Sequence, residues 1–342
     1  VRKNAFRVSI VLMVLWVICI PLTSQFFKIG DVSSMVFFTP VFFLFLNGIV
    51  FKGYLTGNLF FIRVSIALLL EACSKLLFAA LLQSLGFSNY AYLAIPLSLA
   101  VSFIALYIFN SRATHSIKKN RNHYAFPRRF LFFAIMTGLS ASSFLTLDLV
   151  LVKHFLLPKS AGEYALLSLA GKMIFFFGSL FNGLILAHVS RHLGKGKNPG
   201  KIFSRLILGT LSLTVIAFIA IGFGGAFLMP LAFGSKVSPI IPYLPHYSLA
   251  ISLFTISSAF VAYHLARHQF SLSVLSLFSS ALMIVGICFF HQNIGQITQV
   301  ILAVSVFNFI GVLYLHLMQR NGRFILRNII DLVDVFRSIP NQ

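Results

Sequence analysis

The sequence predicts an all-α, polytopic membrane protein with about ten transmembrane helices. Three observations carry this. Of 342 residues, 58% are hydrophobic and only 10% charged, with a mean hydropathy of +0.94. An average soluble domain carries about 25% charged residues, and so few charges cannot make a polar skin around a core of this size. Apolar runs recur at lengths that cross a hydrocarbon layer of about 30 Å as helices. The basic residues, finally, gather in the gaps between those runs.

The runs cover 8–26, 33–51, 61–84, 90–110, 130–153, 164–190, 206–230, 242–265, 270–290 and 297–317. Only helices and closed barrels satisfy their backbone inside lipid, and these unbroken apolar stretches lack the alternation of a barrel strand. Short gaps such as HLARHQF at 264–270 suit tight helical hairpins. PLAFGSKVSPIIPYLPHY, 230–247, limits regular helix at one edge, and with GFGG at 222–225 it predicts a break or kink that could hinge. The tail GRFILRNIIDLVDVFRSIPNQ spaces Ile325, Ile329, Leu332 and Phe336 as one helical face, with Arg323, Asp331 and Asp334 between them. It reads as an amphipathic helix on the membrane surface or packed on the bundle. The expected organisation is 1–129, four spans and a basic loop; 130–318, six spans; and 319–342, the tail.

The formal net charge is +21, but its distribution argues against nucleic acid. A nucleic-acid domain would show one continuous basic face; here short clusters alternate with apolar spans. With the N-terminus in the cytoplasm, 21 of the 27 Lys and Arg fall inside. These are Arg2, Lys3 and Arg7; Lys52 and Arg63; six in 111–129; five in 191–205; Arg267; and four beyond residue 319. The bias places both termini in the cytoplasm. A basic start and an apolar run resemble a signal peptide, but no small-residue cleavage pattern follows. Val1 suggests a literal codon translation or a chain cut from a longer reading frame.

Cys19, Cys73 and Cys288 lie in apolar runs without metal-ligand spacing, so buried structural thiols are expected. His188 and His192, like His264 and His268, share only i,i+4 spacing near the cytoplasmic edge, which favours structural roles. No metal site is predicted. No phosphate loop, metalloprotease pair or nucleophile elbow is present, so the chain does not read as an enzyme, and it calls for no cofactor.

Charged residues inside the spans need a reason, because hydrocarbon does not solvate them. Glu71 and Lys75 stand i,i+4 in the favourable order and form either a mutually satisfied pair or a polar surface. Arg63, two turns before Glu71, either snorkels or marks the mouth of a cavity. Lys172 has no acid at i−4 or i+4; it is a candidate for an anionic headgroup, or it snorkels or meets Asp148 across helices. Asp148 is a coupling site or a structural counter-charge. Asn47 and Asn182 each precede Gly and suit interhelical hydrogen bonds.

The segment LFLNGIVFKGYLTGNLFFIRVSIALLLEACSKLLFAALLQSLGF, with Gly48, Arg63, Glu71 and Gly86, resembles the fourth and fifth spans of the polysaccharide and oligosaccharide flippases in the MATE-like exporter superfamily. DLVLVKHFLLPKSAGEYALLSLAGKMIF resembles the start of that family's second half, through Asp148, Pro158, Ala161, Gly162 and Tyr164. AYHLARHQ at 262–269 resembles a link between its late spans. The resemblance covers nearly the whole chain and implies a two-lobe bundle in the bacterial cytoplasmic membrane. Family members usually carry at least twelve spans, so the N-terminal lobe is expected to lack its first two.

By this resemblance the chain would translocate an undecaprenyl-pyrophosphate-linked glycan by alternating access. Arg63, Lys75 and Lys172 would bind substrate, and Glu71 and Asp148 would serve as coupling or structural charges. H+ or Na+ is the coupling ion it admits. Its partners would be membrane lipids and a glycan polymerase or glycosyltransferases. A small-molecule or cation antiporter of the same architecture would instead need an obligatory acid. A non-transporting membrane protein is the reading that follows from missing helices.

The charge bias sets a topological expectation. Cysteines introduced as Lys118→Cys or Lys195→Cys should be shielded from membrane-impermeant thiol reagents in intact cells. Labelling from outside would reverse the orientation.

Overall fold

The computed structural model describes residues 2–27, 32–116 and 128–320. The chain is an all-α polytopic membrane protein, and ten of its helical stretches are long and apolar enough to cross a membrane. They run Asn4–Phe26, Ser33–Gly57, Phe61–Ser84, Asn89–Ser111, Arg128–Phe155, Pro158–Gly194, Gly200–Phe223, Val237–Ala266, Ser271–Phe289 and Ile294–Gln319. Every apolar run of the sequence therefore became one such stretch. Residues 117–127, within the basic loop, and the tail residues 321–342, including Asp331 and Asp334, lie outside the described residues.

Two compact units divide the chain, Val1–Tyr124 and Ala125–Gln342. The first contains α1 (Arg2–Phe27), α2 (Val32–Phe37), α3 (Thr39–Gly57), α4 (Phe61–Ser84) and α5 (Ala94–Ser116). Here α3 packs on α1 and α5, and α4 on α5. Phe51, Leu55, Val64, Ala67, Ala105 and Leu106 form the small core. Asn47 is buried and its Nδ2 donates to Ser9 Oγ at 3.2 Å, fastening α3 to α1. This is the interhelical role expected of an amide beside Gly in a membrane span.

The second unit contains α6 (Arg128–Ser142), α7 (Asp148–Phe155), α8 (Pro158–Gly178), α9 (Asn182–Gly194) and α10 (Gly200–Phe218). It continues with α11 (Gly225–Phe233), α12 (Leu244–Ala266), α13 (Ser271–Phe289) and α14 (Ile294–Arg320). The α12 stretch is its axis, 67% buried, against 39% or less for every other spanning stretch. It packs on α8, α9, α10 and α14. Its sequence explains how. Ser252, Thr255 and Ser257 return their hydroxyls to carbonyls one turn earlier, at 2.7 to 2.8 Å. These small side chains satisfy themselves and let neighbouring helices come close.

Hydrogen bonds between side chains also tie the helices of this unit. Thr137 donates to Ser273 and Ser140 pairs with Ser280, each at 2.8 Å, joining α6 to α13. Asn182 donates to Ser258 at 2.8 Å and joins α9 to α12.

Irregular turns interrupt several spans. Ser143–Leu147 and Ile219–Phe223 are π-helical, and Ser179–Phe181 is a 3-10 turn. The Pro-rich stretch becomes a 3-10 helix at Gly234–Tyr243 before α12 begins, which accounts for the expected break. Pro239 and Pro242 lack the N–H that a continuous α-helix would use.

One expectation fails. Cys19, Cys73 and Cys288 are exposed rather than buried. So are large apolar neighbours such as Ile62, Leu76 and Phe289, at 78, 74 and 76%. In a membrane helix the apolar side chains can face lipid as well as protein, so an apolar run does not by itself direct a thiol inward.

Gly178 reports how close the second unit packs. A Cβ there would run into the side chains of Thr214 and Thr255. Gly178→Ala should therefore destabilise the protein by about 1–3 kcal/mol through overpacking. Thermal unfolding in detergent would measure it, and an unchanged midpoint would refute the close contact.

Candidate functional site

A membrane span gives a carboxylate few ways to stay charged, and Asp148 uses several at once. It begins α7, directly after the π-helical turn Ser143–Leu147, and is 1% exposed. Lys172 Nζ donates to its Oδ1 at 2.8 Å. Its Oδ2 accepts from the hydroxyls of Tyr164 and Tyr247, both at 2.9 Å, and from Ser168 at 3.4 Å. The Tyr247 hydroxyl also lies 3.3 Å from Ser168 Oγ.

The local sequence explains the convergence. Tyr164, Ser168 and Lys172 follow one another at i, i+4 and i+8 on α8, so one face of that helix carries all three donors. Tyr247 arrives from α12. Gly171 admits it, because a Cβ at 171 would clash with the edge of the Tyr247 ring. The two tyrosine rings meet edge to face, with centroids 6.0 Å apart. The cluster is thus a buried, charge-compensated centre linking α7, α8 and α12. Burying one of these charges alone would carry a large desolvation cost.

Lys172 has no acid one turn away on its own helix, as its sequence context indicates, but Asp148 occupies its ammonium from another helix. In this arrangement its Nζ is engaged and its side chain only 10% exposed. Tyr247 is the member that sequence reasoning missed. It lies 99 residues from Asp148 and carries no local charge pattern. Tyr164 entered the sequence reading only through the family resemblance, and Ser168 was missed as well, although both stand at helical spacing from Lys172.

The other charged candidates lie in the first unit, on α4. Lys75 Nζ is 3.8 Å from Glu71 Oε1, and the two side chains are 45% and 23% exposed. Arg63 donates weakly to the Phe109 carbonyl at 3.5 Å and stacks over the Phe60 ring, 4.6 Å from its centroid. These contacts suit a cation at a helix end. Glu71 and Lys75 differ, because they stand near the middle of the Phe61–Ser84 helix.

The histidines form no metal cluster among the described residues. His264 and His268 do not act as an i,i+4 pair. His264 Nε2 meets His316 Nδ1 at 2.8 Å, and its Nδ1 meets Gln269 Oε1 at 2.7 Å. His268 adopts a left-handed conformation, φ 58°, in the turn that ends α12. That turn swings Gln269 back onto His264.

The Asp148 centre predicts strong coupling between partners. Asp148→Ala should cost about 3–5 kcal/mol, since it strands a buried ammonium. The double change Asp148→Ala with Lys172→Met should recover most of that loss, as seen in a double-mutant cycle of detergent melts that includes Lys172→Met alone. Additive losses would show that the pair is not coupled. In comparisons with known proteins, no protein family, no curated protein and no solved structure matches this chain.

Proposed function

We propose that the chain translocates a lipid-linked oligosaccharide or polysaccharide precursor across the cytoplasmic membrane by alternating access. The observation that carries this reading is the Glu71–Lys75 pair, charged and partly exposed in the middle of a membrane-length helix. Lipid cannot solvate such a pair, so its open side needs a polar surrounding such as a path through the hydrocarbon. A pyrophosphate headgroup would use that path while its lipid tail remained in the bilayer.

In this mechanism Lys75 and Arg63 donate charge-assisted hydrogen bonds to phosphate oxygens. Glu71 keeps Lys75 in place between substrates. Lys172, in the second unit, would meet a phosphate only where it replaces Asp148 at the ammonium. No covalent bond is made or broken, and Asp148 serves as the counter-charge that keeps Lys172 tolerable inside the membrane. The resemblance to oligosaccharide flippases, through Arg63, Glu71, Asp148 and Tyr164, supports the substrate class. A small-molecule or cation antiporter draws its support instead from Asp148, a buried acid ringed by hydroxyl donors.

The test reconstitutes the full chain in proteoliposomes with a fluorescent lipid-pyrophosphate oligosaccharide and follows leaflet exchange. A charge-assisted hydrogen bond is worth about 1.5–3 kcal/mol, so Lys75→Ala should slow exchange about tenfold or more. Lys75→Arg should retain most activity. Equal rates for wild type and Lys75→Ala, at equal protein abundance, would remove Lys75 from the path.

A further inference from the structure

Several buried polar atoms of the second unit have no hydrogen-bond partner among the described residues, among them the hydroxyls of Thr210, Thr214, Ser248 and Ser305, and Asn308 lacks one at both ends of its amide. Asn308, on α14, is 0% exposed, and neither its Oδ1 nor its Nδ2 has a hydrogen-bond partner among the described residues. It lines a recess with about 30 Å³ of free space. Thr137 and Ser140 of α6, Ser258 of α12 and Ser276 of α13 line the same recess, with Phe254 and Val261 on its apolar side.

We propose that this recess is a binding site for ordered water, anchored by the Asn308 amide and bridging α6, α12, α13 and α14. Three arguments carry the assignment. An amide left without partners in a membrane protein costs several kcal/mol, whereas one water can accept from Nδ2–H or donate to Oδ1. The space exceeds the roughly 10–15 Å³ that a water requires, and such a water needs two to four polar partners. Hydroxyl oxygens supply the others. Thr137 donates its proton to Phe133 or Ser273, and Ser258 donates to the Thr255 carbonyl, which leaves lone pairs that accept from water.

The lining also selects the class of ligand. It contains hydroxyls, one amide and apolar groups but no acid or base. A neutral molecule of water size fits it, and an ion would find no counter-charge. Direct side-chain bonds join α6 to α13 and α9 to α12, and His316 and Gln319 tie the end of α14 to His264 and Ser271. Water would join the Asn308 stretch of α14 to the same seam.

The experiment is radiolytic hydroxyl footprinting of the full chain in lipid nanodiscs, read by mass spectrometry. Bound water generates radicals where it sits, so Phe254, only 3% exposed, should be oxidised several-fold faster than Phe51 at 4%. Asn308→Leu keeps the volume and removes the amide, and it should reduce Phe254 oxidation several-fold. Oxidation of wild-type Phe254 no faster than that of Phe51 would overturn the proposal, whatever the variant does. Faster oxidation that persists unchanged in folded Asn308→Leu would overturn Asn308 as the anchor.

Discussion

Hydrocarbon offers no hydrogen bonds, so a polar group that enters it needs a partner in the protein or in bound water. That constraint governs the second unit of this chain. Asp148 is the clearest case. Its two oxygens accept from Lys172, Tyr164, Tyr247 and Ser168, which belong to two other helices. The positions of α7, α8 and α12 are therefore set partly by a carboxylate. Apolar packing surrounds it: Tyr164, Leu167, Ile174, Tyr247 and Ile251 belong to the main core.

Small residues meet the same constraint more cheaply. Serine and threonine hydroxyls on α12 bond to their own helix, while those on α6 and α13 bond across. Gly171 and Gly178 admit neighbours that a methyl group would block. Helix association in lipid gains little from apolar burial, since lipid tails are as apolar as leucine. Close contact and hydrogen bonding carry more of the work, which is why α12, rich in Ser and Ala, becomes the axis.

The first unit distributes its polar groups differently. Asn47 is satisfied inside it, but Glu71 and Lys75 remain partly open on α4. A neutralised centre buried in one unit and an open ion pair in the other suggest different duties. The buried centre favours packing, and the open pair favours contact with a polar ligand. Both belong to the same transport proposal, with Lys172 the residue whose availability depends on its counter-charge.

Much of this could be read in the residues alone. Ten spans were legible because length and hydropathy are local properties, and a helix in lipid satisfies its own backbone. The Glu71–Lys75 pair was legible because i,i+4 spacing is geometric. The breaks around Pro239 and Pro242 followed from the missing amide protons. Tertiary structure alone decided the rest. It brought Tyr247 to Asp148 across 99 positions, joined His264 to His316 rather than to His268, and turned the three cysteines outward. An apolar run announces that a helix belongs in the membrane, but lipid and protein are equally apolar neighbours. Which face turns inward is therefore chosen by polar partners on distant helices, and no local pattern records them.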